Sequence, residues 1–206
     1  MPCRVKICGI TNLEDALAAC HDGADALGFV FYEKSPRYID PVKANAIVSQ
    51  LPPFVVPVAL FVDASAEDIE AVVADNARWL IQFHGNESEQ ECLSYNRSYI
   101  KALRVKEGDD LQEAAQAYQS ASAILLDAYK AGVPGGTGEV FNWSLIPEEM
   151  PLPVILAGGL TPDNVARAVE QVAPYAVDVS GGVEASKGIK NKLKVKQFIS
   201  GAKREQ

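Results

Sequence analysis

The stretch Arg4-Val5-Lys6-Ile7-Cys8-Gly9-Ile10-Thr11-Asn12-Leu13 decides the fold, because it passes from strand through a glycine break to a helix start. Arg4 to Cys8 alternates charged and apolar side chains, the period of an extended strand. Gly9 breaks the run, and Thr11 or Asn12 stands where a helix N-cap is needed. Leu13, Ala16, Leu17 and Cys20 then recur at helical spacing. The number of times this unit returns settles the architecture.

It returns seven more times. Ala24 to Phe31 reads as the second strand, followed by the loop Tyr32 to Ile39 and a helix opened by Asp40-Pro41, with proline at the first helical position. Val55 to Val62 is the third, leading through Asp63-Ala64-Ser65 to a helix carrying Ile69, Val72 and Val73. Trp79 to Phe83 and Tyr99 to Val105 follow, with helices over roughly 88–95 and 110–119. Ala123 to Asp127 is the sixth strand, and the glycine-rich segment Ala131 to Gly138 separates it from a short helical segment near 142–147. Pro153 to Ala157 precedes a helix opened by Thr161-Pro162, and Ala176 to Val179 precedes a last helix over roughly 190–202. Alternating strands and helices imply a parallel sheet. An open doubly wound sheet also satisfies the alternation, but a count of eight selects the closed (β/α)₈ TIM barrel. No composition break marks a linker, so residues 1–206 are expected to form a single domain, with the basic tail Lys190 to Arg204 as a solvated helix face.

Composition narrows the function. With 206 residues, 48% of them hydrophobic, the chain can bury a sizeable core. Its net charge of −8 excludes the broad basic surface that nucleic acid or an anionic membrane requires. A small anionic metabolite must then be held locally, by backbone N–H groups and helix N-termini. Cys3, Cys8, Cys20 and Cys92 form no CxxC pair, and His21 and His84 stand at no ligand spacing from them, which excludes a zinc site. The start of the chain has no long apolar run, and nowhere do 18 consecutive apolar residues occur. A cytoplasmic protein with reduced thiols is expected.

In such a barrel the reactive groups lie at the C-terminal ends of the strands. The candidates are Cys8, Arg37 in the stiffened loop Ser35-Pro36-Arg37-Tyr38, Asp63, His84 and Asp127, together with the glycine loops after strands seven and eight. An unperturbed cysteine, with a pKa of about 8.5, is only a few per cent thiolate near neutrality, so a base role for Cys8 calls for cationic help. Lys6, two residues upstream, points to the same barrel interior and is the expected partner. Asp127 ends an otherwise apolar strand, and burial of a carboxyl against apolar walls favours the protonated form that a general acid needs. Ala157-Gly158-Gly159-Leu160 and Val179-Ser180-Gly181-Gly182 offer bare backbone N–H groups at the usual barrel phosphate site. These residues describe a phosphate-binding barrel with an acid and a base.

The motifs KICGIT at 6–11, LGFVF at 27–31, SPRYI at 35–39, FVD at 61–63, QFHG at 82–85, LLDA at 125–128, GGTGEVFNW at 135–143, LAGGLTPDNV at 156–165 and VDVSGGVE at 177–184 run nearly the full length. Their order and spacing resemble the phosphoribosylanthranilate isomerase family of tryptophan biosynthesis. The resemblance implies an aldose–ketose isomerase that converts N-(5-phosphoribosyl)anthranilate into 1-(2-carboxyphenylamino)-1-deoxyribulose 5-phosphate by an Amadori rearrangement. It further implies Cys8 as general base, Asp127 as general acid and Arg37 as the holder of the anthranilate carboxylate. Gly158, Gly159, Ser180, Gly181 and Gly182 would hold the phosphate, and His84 and Asp178 complete the substrate-binding set. An acid and a base suffice for this chemistry, so neither metal nor organic cofactor is expected. The expected partner is a small phosphorylated substrate, with no nucleic acid and no membrane, in a monomer or weak homodimer. The alternatives are another phosphosugar-binding barrel. It could be a sister isomerase, such as the histidine-pathway enzyme with two aspartates, or a lysine-dependent indoleglycerol-phosphate synthase. A non-catalytic phosphometabolite-binding protein, or one in which Cys8 is a redox sensor, belongs to another class.

Overall fold

The computed structural model describes residues 3–128 and 142–203. Eight parallel strands, β1 (Arg4–Cys8), β2 (Ala26–Val30), β3 (Val56–Phe61), β4 (Leu80–Phe83), β5 (Tyr99–Val105), β6 (Ala123–Ala128), β7 (Val154–Leu156) and β8 (Ala176–Val179), pair in sequence order. β8 then pairs with β1, with Lys6 opposite Asp178, so the sheet closes into the expected (β/α)₈ barrel. Seven helices are described: α1 (Leu13–His21), α2 (Pro41–Val48), α3 (Ala66–Val73), α4 (Glu89–Leu93), α5 (Leu111–Gln116), α6 (Val165–Val172) and α7 (Lys192–Ala202).

Local chemistry places these elements. Asn12 caps α1 through a bond from the Asp15 N–H, and Asp40 caps α2, whose first residue is Pro41. Ser88 and Glu91 close a reciprocal capping box on α4. Between β6 and β7 the expected helical segment is only a single 3-10 turn, Trp143–Leu145. Pro147, Pro151 and Pro153 follow within a few residues and remove the N–H groups that a longer helix would need. The glycine-rich segment 131–138 and most of the GGTGEVFNW motif lie outside the described residues.

Side-chain alternation divides the core in two. Ile7, Leu27, Phe29, Phe61 and Leu126 belong to the large cluster between the strands and the helices. Val58, Ile100, Ala102, Leu125, Ile155 and Ala176 form a separate cluster inside the barrel. Above that inner plug the small apolar group of Cys8, Val30 and Leu60 floors the C-terminal mouth. The polar residues that continue the inward-facing rows therefore stand on a closed apolar base.

After β8 comes a feature with no counterpart in the expected plan, a hairpin of β9 (Glu184–Ser186) and β10 (Ile189–Lys190) before α7. Lys190 is consequently not part of a solvated helix face. It lies in β10 and is buried.

Candidate active site

The site is built on the inward rows of β1, β2 and β8. Lys6 and Cys8 are two residues apart on β1 and both buried. Opposite them on β2 is Gly28, where a Cβ would stand 2.7 Å from Cys8 Sγ and 3.0 Å from Lys6 Nζ. The missing side chain is the space the thiol and the ammonium occupy. On the other side, Lys6 Nζ donates to Asp178 Oδ1 at 2.8 Å. The expected cationic partner of Cys8 is thus present, but its charge is shared with a carboxylate. Burial pushes the Cys8 thiol up, Lys6 opposes this, Asp178 adds to it and Lys190 opposes it, and the net direction is upward. Burial also works against the charge on Lys6, yet Asp178 and Cys8 outweigh it and hold the ammonium protonated.

Asp127 is the penultimate residue of β6, with one carboxylate oxygen accepting the Ala128 N–H at 2.9 Å. Its Oδ2 faces His84 Nε2 at 3.4 Å without forming a hydrogen bond, and that buried nitrogen has no hydrogen-bond partner. The other ring nitrogen of His84, Nδ1, lies 3.0 Å from the amide Nε2 of Gln82, a fully buried side chain two residues earlier in β4. Gln82 was not among the expected site residues, although a lone amide in the inward row before His84 was a readable signal.

Arg37 reaches the site from the loop after β2, which is pinned by a bridge between Val30 and Tyr38. Its guanidinium was expected to hold a substrate carboxylate, and in the structure it already has a carboxylate partner within the chain. Its Nε and Nη2 donate to the two oxygens of Glu184 at 2.7 and 2.9 Å, a bidentate pair. Burial pushes the Glu184 carboxyl up, but Arg37 and Lys190 pull harder and leave it below the usual carboxylate range. Lys190 Nζ ties this corner to β1 by donating to the Cys8 carbonyl at 2.6 Å and to Ser180 O at 3.2 Å. Glu184 closes the VDVSGGVE motif and Lys190 opens the basic tail, yet neither was expected in the site, because strands of two or three residues show no periodicity that would place them there.

The glycine loops adjoin this corner. Gly158 and Gly159 both have positive φ, at 79° and 66°, and a Cβ on Gly158 would stand 2.9 Å from Asp127 Oδ1. Gly182 presses against the Leu160 carbonyl so closely that no Cβ fits between the two loops. Cys8, Arg37, His84, Asp127, Asp178 and Ser180 line one cavity of about 260 Å³, with Lys34 and Lys187 at its rim. Gly158, Gly159, Gly181 and Gly182 line a smaller one of about 80 Å³, which shares Asp127, Asp178 and Ser180 with the first. The expected acid and base, Arg37, His84, Asp178, Ser180 and the four loop glycines therefore all line one of two joined cavities. Asp63 does not join them; its carboxylate accepts the Asn86 N–H at 2.6 Å and organises the loop after β4. Among the described residues no group of three potential metal ligands occurs.

Comparison with known proteins decides the family. The model of the N-(5'-phosphoribosyl)anthranilate (PRA) isomerase family matches residues 5–201. The chain belongs to this family. An N-(5'-phosphoribosyl)anthranilate isomerase of Marinomonas sp. (strain MWYL1) is 68% identical over 203 residues, covering 98% of this chain and 99% of the relative. The crystal structure of phosphoribosyl anthranilate isomerase from Thermotoga maritima superposes with a TM-score of 0.89 at 44% identity, covering 98% of each chain. A phosphoribosyl anthranilate isomerase in complex with reduced 1-(o-carboxyphenylamino)-1-deoxyribulose 5-phosphate gives a TM-score of 0.86, also at 44% identity and 98% of each chain. The two joined cavities of this PRA isomerase family member differ in size and lining, the larger carrying charged side chains and the smaller four glycines.

Proposed function

We propose that the chain is a cytoplasmic phosphoribosylanthranilate isomerase of tryptophan biosynthesis, acting as a monomer or weak homodimer, that rearranges N-(5-phosphoribosyl)anthranilate to 1-(2-carboxyphenylamino)-1-deoxyribulose 5-phosphate. The observation that carries this reading is the pairing of a thiol, Cys8, and a carboxyl, Asp127, in one cavity that opens onto two glycine loops. The phosphate sits against the backbone N–H groups of Gly158, Gly159, Gly181 and Gly182, as anions do at this face of a barrel. The anthranilate ring lies over the apolar floor of Val30 and Leu60 with its carboxylate toward Arg37.

Asp127 protonates the ribose ring oxygen, the C1′–O bond breaks, and the nitrogen lone pair forms the imine. The Cys8 thiolate then removes the C2′ proton, and the electron pair moves through C1′ to the nitrogen to give the enolamine. Tautomerisation of that enol gives the ketone. Buried in this corner, the thiolate is a minority form near neutrality, but once formed it is a stronger base than an exposed one. Lys6 steadies it, and Asp178 fixes Lys6 in place.

The experiment is turnover followed by anthranilate fluorescence in Cys8→Ser and Asp127→Asn. Each variant should lose several orders of magnitude in kcat while still binding the substrate. Wild-type rates in both would refute the assignment of acid and base.

A further inference from the structure

We propose that Glu184 is a positioning residue that sets the preference of the site for a carboxylate-bearing aromatic amine, by holding Arg37 along one edge and leaving only its end edge for the substrate. The inference rests on the carboxylate role of Arg37 in the proposed function. A guanidinium has five N–H donors in a rigid planar fork. Glu184 takes the Nε donor and one Nη2 donor. Three donors remain, on the Nη1 and Nη2 end of the same plane, which is the geometry that accepts a second carboxylate in bidentate fashion.

The surroundings make this hold one-sided. A Cβ on Gly9 would stand 2.6 Å from Arg37 Cδ, and one on Gly181 would stand 3.2 Å from Nη2, so the arginine runs in a slot walled by backbone. Glu184 is itself fixed, since its Oε1 also accepts the Gly188 N–H at 3.2 Å and Lys190 Nζ at 3.3 Å. Its side chain is 7% exposed and that of Arg37 14%, so the pair is shielded from the water that would make an exposed pair mobile. A long side chain that otherwise loses much rotamer freedom on binding a ligand is ordered before the ligand arrives.

The test is steady-state kinetics of Glu184→Gln and Arg37→Met with two substrates, the phosphoribosyl adduct of anthranilate and that of aniline, which lacks the carboxylate. Glutamine keeps the volume and the acceptor for Gly188 and Lys190, so the hairpin stays folded, but it cannot pair both guanidinium nitrogens. Loss of one charge-assisted bond of positioning should raise KM for the anthranilate adduct by about tenfold or more, leave kcat close to wild type and leave KM for the aniline adduct unchanged. An anthranilate KM that stays the same or falls overturns the inference, as does an equal rise for both substrates. If Arg37→Met abolishes the preference while Glu184→Gln retains it, the inference alone fails. If Arg37→Met also retains it, the carboxylate role of Arg37 fails with it.

Discussion

Cys8 sits where burial and ionisation oppose each other. Desolvation pushes its thiol up, and the cations Lys6 and Lys190 recover only part of that shift. The base therefore has to be generated by raising pH, and kcat/KM should climb with pH through neutrality and beyond the ordinary thiol range. Lys6→Met removes a cation that lowers the Cys8 pKa and leaves Asp178, which raises it, without its partner, so both changes have the same sign. The rise in the pH–rate profile should move to higher pH; an unmoved profile would show that Lys6 has no electrostatic role. Gly28 tests the geometry rather than the charge. A methyl group there meets Cys8 Sγ at 2.7 Å, so Gly28→Ala must displace the thiol. A misplacement of about 1 Å at a reacting group can cost on the order of a hundredfold, and kcat should fall by about that factor while the circular dichroism spectrum stays that of the wild type.

At the scale of elements, the loop after β4 shows how a site residue is held from outside the barrel. Lys101 faces outward from β5, is 2% exposed, and donates to Glu87 Oε2 at 2.8 Å and to Gly85 O at 2.9 Å. Glu87 in turn accepts the N–H groups of Asp63 and Gly85. This network clamps the segment that starts at His84, opposite Asp127. Removing one partner of a buried pair leaves an uncompensated charge, so Lys101→Met should cost about 3–5 kcal/mol in chemical denaturation. A cost well under about 1 kcal/mol would place the pair among ordinary surface bridges. Element starts were legible because caps are local: Asn12, Asp40 and Ser88 each bond a backbone N–H within three residues. The β9–β10 hairpin was not, since its short strands are held by distant groups, with Lys190 N–H donating to Asp15 at 2.8 Å and Lys190 Nζ to the Cys8 carbonyl at 2.6 Å.

For the whole molecule, eight repeats of strand and helix left closure as the solution in which every strand has two neighbours and no edge remains. Closure converts order along the chain into proximity: Cys8 and Asp127 line one cavity although they lie toward the ends of strands far apart in the chain, the first and the sixth. The positions of Cys8, Asp127 and the two glycine pairs could be read from the sequence because a barrel delivers its strand ends to a single mouth. The charges around them could not. Lys6 with Asp178, Arg37 with Glu184 and Lys190 with Cys8 are contacts between residues 147 to 182 positions apart. The sequence by itself determined the barrel, the family and the strand-end residues, through periodicity, caps and motif order, which are local. Only the tertiary structure decided which ion pair each charged residue joins, because that depends on distances that closure creates.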